Sequence, residues 1–261
     1  MSDGAPDVGL AGRKLLDESD KQVVLDAAAA LQVRRSEIAG ALAAGPVPHA
    51  HIVTSSSDNA TLNRPLMEQS ASWRELHSVL ATTSVPQLRL SLPNNRRILE
   101  GGLRMESIFD ATGLAVGPLL LLANEPVGDY LVSFAPLNMK IIDRRSVLLQ
   151  GPHVPGSGPS VMEVRSAACL EAAWRYWVAV RRFAVPVKKW AGGVADLTPR
   201  QRQVVALMAS GLGDDAIADT LGVSVRTVRA DIAALLDVLG VRTRFAAGVR
   251  LQLWPDPGDD G

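Results

Sequence analysis

The chain has 261 residues, is 47% hydrophobic and 21% charged, and has no formal net charge. That is ordinary globular composition, enough for about two domains at ~100–200 residues each. Neutrality excludes a generally sticky nucleic-acid binder but leaves room for a small local basic face.

One cysteine, Cys169, rules out an intramolecular disulfide framework and fits a reducing compartment. The opening residues lack a basic-then-apolar leader, and the longest apolar run, Gly113 to Ala123, is about half of what spans a bilayer. The expectation is a cytoplasmic protein without a membrane partner.

Residues 1–11 are small and polar and read as a tail. From Asp17 to Ala44 helix formers dominate, with Val24, Ala27, Ala28, Leu31, Ile38 and Leu42 at helical spacing until Gly45-Pro46. Such a helix is ~40 Å long at 1.5 Å per residue. It needs a partner surface, either the next domain or a second subunit, unless it breaks into a helix pair. Residues 1–50 are thus a tail plus a linker or dimerisation helix.

Residues 53–66 are rich in Ser, Asn and Thr and read as a loop. Trp73 to Val79 reads as a helix end running into a strand, and Arg96 to Gly101 as a helix with a Gly-Gly stop. "LRMESIF" alternates, with Leu103, Met105, Ser107 and Phe109 on one face. Thr112 to Asn124 suits a buried helix. Residues 129–135, 139–143 and 146–151 read as short strands, with a turn at "DRR". After a Gly/Pro loop comes another strand at 161–164, then a helix capped by Ser166 and running to about Phe183. Residues 51–185 therefore form a mixed α/β domain, followed by a linker at 186–195.

The last unit, residues 196–254, is helical. In "LTPRQRQVVALMASGLG" Thr198 caps, Pro199 fits the first position and Gln201 completes a capping box. Asp214 and Asp215 open a short second helix, Gly222 permits the turn and Ser224 caps the third helix, 225–239. There Val228, Ile232, Leu235 and Leu239 share one stripe, while Arg226, Arg229, Ala230 and Ala233 point away from it. Arginines in the first turns with small neighbours suit a helix entering the major groove. A bundle that has lost DNA binding would show the same core. Gly240 ends the helix and Thr243 to Leu253 makes a fourth; residues 255–261 are an acidic tail.

"LTPRQRQVVALMASGLGDDAIADTLGVSVRTVRADIAALLDVLGVRTRFAA" resembles the LuxR/NarL-type helix-turn-helix in its LTPRE-like start, its A-L-G-V-S-x-x-T-V core and its L-G-V-x-x-R ending. The resemblance implies that Arg229 and Ala230 face bases in double-stranded promoter DNA, while Arg226 and Thr227 touch the backbone. Ser224, Thr198, Arg200, Ala233 and Arg244 are the further candidate DNA contacts. Asp231 and Ala233 depart from the family, which favours His and Lys/Arg there. With seven arginines against six aspartates in 196–254, one copy should bind modestly, and a homodimer reading two half-sites would restore affinity.

"GLRMESIFD" and "MKIIDRRSVLL" resemble actinobacterial regulators that place a phospholipase-D-like domain before a LuxR-type reader. The implied fold class is α+β: a long N-terminal helix, a phospholipase-D-like α/β domain and a four-helix LuxR-type domain. Catalytic members need His-x-Lys-x4-Asp. Here Asn138 replaces the histidine and Asp143 lies too close to Lys140, so an enzyme is not expected. Lys140 and Asp143 then read as strand-end residues or as remnants of an anion site.

His49 and His51 form H-x-H without further metal ligands, so neither metal nor cofactor is expected. In "CLEAAWRYWVAV" Trp174, Trp177 and Val178 share a face that serves core packing, a subunit seam or a pocket wall. If a small-molecule effector binds, the candidates are Trp174, Trp177, Phe109 and Phe134. A third reading, a protein-interaction module modulating another regulator without its own DNA site, stays open.

Overall fold

The structure, a computed structural model, describes residues 16–191, 197–209, 211–239 and 241–247. The expected tails, part of the linker, Gly240 and the end of the fourth helix lie outside the described residues. The chain is α+β and divides into two units. One comprises residues 16–114 and 125–186, the other residues 115–124 and the described part of 187–261.

The first unit is built on an eight-stranded mixed sheet with strand order β1-β7-β6-β5-β2-β3-β4-β8. Its strands are β1 (Ala50–Ser55), β2 (Glu75–Leu80), β3 (Arg104–Asp110), β4 (Asp129–Ser133), β5 (Met139–Ile142), β6 (Ser146–Gln150), β7 (Ser160–Val164) and the two-residue β8 (Val185–Pro186). β2, β3 and β4 run parallel, and every other neighbouring pair is antiparallel.

Helix α1 (Glu18–Ala44) begins where the Asp17 carboxylate accepts the Asp20 N–H, 2.8 Å away, and ends at Gly45. Only Val24, Ala28 and Leu31 of α1 are buried, one residue per turn. They join Ile108, Ile141, Val147, Leu149, Met162 and Val164 from the sheet and Cys169, Ala173, Tyr176 and Trp177 from α5 (Ala167–Arg182) in one core. Ser166 caps α5 through the Cys169 N–H, as its sequence implies. The Tyr176 hydroxyl donates to the Leu137 carbonyl and accepts the Leu137 N–H, so the polar end of the ring is satisfied inside this core.

The segment expected as a loop at 53–66 folds instead as β1 and α2 (Asn59–Gln69). Asp58 starts α2 by accepting the Thr61 N–H at 2.7 Å. Its apolar content is low because only Leu66 of α2 is buried. On the sheet face bearing Leu76, Ser78, Met105 and Ser107, α2 and α3 (Val85–Glu100) flank a cavity. α3 is longer than the Arg96–Gly101 helix expected. Ser84 caps it through Gln87 N–H, and Gly101 ends it.

The second unit contains α4 (Val116–Ala123), α6 (Val187–Ala191), α7 (Pro199–Ala209), α8 (Asp214–Leu221) and α9 (Val225–Leu239). Residues 187–191, expected within the linker, are helical, with Val187, Trp190 and Ala191 buried. Two apolar clusters hold the unit. Val204, Ile217, Ala218, Val228 and Ile232 form one; Leu120, Leu197, Val205, Leu235 and Ala247 form the other.

Candidate nucleic-acid interface

The start of α7 is a reciprocal cap. Thr198 Oγ1 accepts the Gln201 N–H at 3.3 Å, and Gln201 Oε1 accepts the Thr198 N–H at 2.9 Å. α8 opens with Asp214 and Asp215 at its positive end and closes at Gly222, whose φ of +65° is left-handed. Ser224 Oγ then accepts the Thr227 N–H at 3.1 Å and shares a hydrogen bond with Thr227 Oγ1. These local signals fix where each helix begins, and so which face of α9 is buried.

That face carries Val228, Ile232 and Leu235, which are 0%, 8% and 1% exposed. Arg226, Arg229, Ala230 and Ala233 are exposed. They stand at i, i+3, i+4 and i+7 and so form one stripe along α9. Thr227 is half-buried; Ser224, Thr198 and Arg200 are exposed. The expected exposed face is therefore present, with two arginines in the first turns of a capped helix. Among the described residues Arg226 makes no hydrogen bond or ion pair.

The other three candidate arginines are engaged. Arg229 Nε lies 3.3 Å from Asp214 Oδ2 with its side chain 71% exposed, so this pair is loose and solvated. Arg244 meets the other oxygen of Asp214 and also donates to the Leu212 carbonyl at 2.5 Å. Arg200 Nε donates to Asp231 at 2.6 Å and its Nη to the other oxygen at 3.2 Å. Asp231 is buried, and its carboxylate raises the Arg200 guanidinium above its ordinary value. Asp231, which reads in sequence as a lost basic contact, is thus a tie between α9 and α7. Nothing in the sequence pairs it with Arg200, 31 positions away.

The four candidate ligand residues do not converge. Trp174 and Trp177 surround the His77 ring, with centroids 5.1 and 4.8 Å away. The Arg144 guanidinium lies over Trp174. Phe134 packs on the core shared with α5. Phe109 is buried near Tyr130 and lines the cavity beside α2 and α3. The alternation of β2 explains this: His77 faces the α5 side, whereas Leu76 and Ser78 face the cavity. Val178, expected to share the tryptophan face, is 54% exposed.

Asn138 Oδ1 accepts the Ala81 N–H at 2.7 Å. Asp143 accepts the N–H groups of Arg74 and Glu75, both at 2.8 Å, in a turn where its own φ is +50°. His51 lies on β1 with Nε2 3.6 Å from Glu163. Among the described residues no group of three His, Cys, Asp or Glu is placed to hold a metal, and no helix is long and apolar enough to cross a membrane.

Comparison with known proteins agrees with the C-terminal geometry. Residues 195–250 match GerE, the bacterial regulatory proteins of the luxR family. A curated relative, the bialaphos biosynthetic pathway regulatory protein of Streptomyces hygroscopicus, is 42% identical over 55 residues. That stretch is 21% of this chain, which spans only 22% of the relative's length.

Solved structures similar to the chain include Nuc, a phospholipase D family member from Salmonella typhimurium (TM-score 0.40, 10% identity, 52% of this chain and 97% of that one). NucT from Helicobacter pylori is similar at TM-score 0.40 and 11% identity, over 52% of this chain and 96% of that one. The capped helices, the left-handed Gly222 and the family match lead to one identification: residues 195–250 are a helix-turn-helix domain of the LuxR family.

Proposed function

We propose that the protein is a sequence-specific, double-stranded-DNA-binding transcriptional regulator whose helix α9 enters the major groove. The observation that carries this reading is the exposed stripe Arg226, Arg229, Ala230 and Ala233 on a helix whose opposite face is buried. Arg229 and Ala230 read base edges, and Arg226 and Thr227 hold phosphates. Ser224 and Thr198, exposed at the capped starts of α9 and α7, add backbone contacts. Arg200 and Arg244 serve chiefly by tying α7, α8 and the residues after α9 together.

The sheet unit acts in this reading as a non-catalytic partner in the cytoplasm. Asn138 and Asp143 spend their side chains on backbone N–H groups, which supports structural roles for both. The protein works as a homodimer through α1 or the sheet unit, because three of the four candidate arginines, Arg200, Arg229 and Arg244, are paired with carboxylates. Sedimentation of the intact protein measures the dimer.

The test is selection of genomic fragments by the full-length protein followed by mobility shift. Sequence-selective retention supports the reading. No shift at low salt with any promoter fragment would end it. DNA binding seen only with a co-purified regulator would favour the interaction-module alternative, which the internally paired Arg200, Arg229 and Arg244 make concrete.

A further inference from the structure

A cavity of about 270 Å³ lies within the sheet unit, bounded by α2, α3 and the middle strands. Leu66, Leu80, Leu88 and Phe109 supply apolar wall, and Ser78, Ser107, Thr83 and Lys140 supply polar groups. The volume equals about nine waters at ~30 Å³ each, room for a molecule of about ten heavy atoms.

The polar groups share one property: unspent hydrogen-bond donors. Ser78 Oγ and Ser107 Oγ lie 2.7 Å apart and are buried. One hydrogen bond between two hydroxyls uses one proton and leaves the other O–H without an acceptor in that pair. Thr83 is 5% exposed, and its Oγ1 is buried with no hydrogen-bond partner among the described residues. Lys140 brings an ammonium from β5, beside Ser78 in register. Among the described residues it has no carboxylate or other hydrogen-bonding partner, and burial pushes its pKa below the ordinary lysine value.

Negative charge is scarcer, and the amide oxygens of Asn94 and Asn59 in the lining already accept from Arg97 and Asn63. The one carboxylate lining the cavity, Asp58, already caps α2. The first residues of α2 (Asn59, Ala60) and of α3 (Pro86, Gln87) also line the cavity, which adds the positive ends of two helices. A cavity with an unpaired cation, two unspent hydroxyl protons and apolar walls is complementary to one negative charge on a small apolar body. A doubly charged phosphate would need more than a single cation.

We propose that this cavity binds a small organic carboxylate, its carboxyl group on Lys140, Thr83 and the Ser78–Ser107 pair and its body against Leu66, Leu88 and Phe109. As an effector site it rests on the regulator reading; as a binding site it does not. The experiment therefore measures binding without DNA. The full-length protein is titrated by calorimetry and thermal shift with sodium benzoate, sodium octanoate, benzamide and sodium phosphate.

The expected result is a millimolar or tighter Kd for benzoate or octanoate, with benzamide at least about tenfold weaker. Lys140→Met should weaken the carboxylate about tenfold to a hundredfold, since a charge-assisted bond is lost. Thr83→Val deletes a hydroxyl that has no partner in the free protein. It should therefore fold normally while binding about threefold or more weakly. The proposal is overturned if neither carboxylate binds at about 10 mM, if benzamide equals benzoate, if Lys140→Met keeps its affinity, or if phosphate alone binds. A mobility shift that persists while this titration fails would sink the site and leave the DNA-binding reading standing.

Discussion

Arg200 and Asp231 offer the most informative perturbation, because their environments are unequal. The Asp231 side chain is 6% exposed and that of Arg200 50%. Arg200→Ala strands a buried carboxylate without its two donors. An unsatisfied buried charged group costs upward of ~1–3 kcal/mol, and breaking a fully buried pair from one side reaches ~3–5 kcal/mol. With one partner half in water, we expect a loss of about 2–3 kcal/mol.

Asp231→Ala lets the guanidinium turn to solvent and costs about 1 kcal/mol. The double replacement should then be more stable than Arg200→Ala alone, the reverse of additivity. For a small helical unit, at ~4–8 °C per kcal/mol, Arg200→Ala lowers the melting transition by roughly 10–20 °C. Thermal and denaturant unfolding of the intact protein and its three variants, followed by far-ultraviolet circular dichroism, measures the cycle. An Arg200→Ala variant within about 0.5 kcal/mol of wild type, or a double variant less stable than Arg200→Ala, would refute the reasoning.

Three further outcomes follow from other contacts. Asp214→Asn releases Arg229 from an exposed pair worth up to ~1 kcal/mol, so DNA affinity at low salt should rise by up to about fivefold; an unchanged or weaker mobility shift from a folded variant would contradict this. Gly222→Ala puts a side chain at φ +65° with no atom within 4 Å of the new Cβ, so its cost is conformational, about 1–2 kcal/mol, and a neutral result would argue against the left-handed turn. Burial raises the Cys169 thiol from 9.0 to about 11. The unfolded chain then ionises first, so this contribution is complete below about pH 9 and is lost between about pH 9 and 11. Denaturant midpoints of wild type should fall relative to Cys169→Ala over that window; parallel curves would refute it.

What was legible in the sequence was what is local. Thr198 with Gln201, Gly222 and Ser224 announce three helix ends from a few residues each, and each makes the expected bond or angle. Ser166 does the same for α5, whereas the Asp17 cap of α1 emerges only in the structure. The α2 segment hid because Asp58 is one polar residue among many in "TSSSDNATLNRPLMEQ", Pro65 reads as a breaker, and the helix buries only Leu66.

The polar cavity hid for a different reason. Ser78, Ser107 and Lys140 meet only because β5, β2 and β3 are neighbours in that order. The available hint was Ser107 on the same alternating face as Met105 and Phe109, and a lysine inside the apolar strand "MKII". Tryptophans drew attention to α5 instead, where they serve packing around His77.

The central claim is that Arg226 and Arg229 play unlike parts on one exposed helix face. The direct measurement is the salt dependence of binding by wild type, Arg226→Ala and Arg229→Ala on a selected site and on unrelated duplex. Arg226→Ala should flatten the slope of log K against log salt by ~0.9 and weaken both duplexes alike. Arg229→Ala should remove ~1–3 kcal/mol of discrimination between them. Wild-type slopes and wild-type discrimination in both variants would contradict the account.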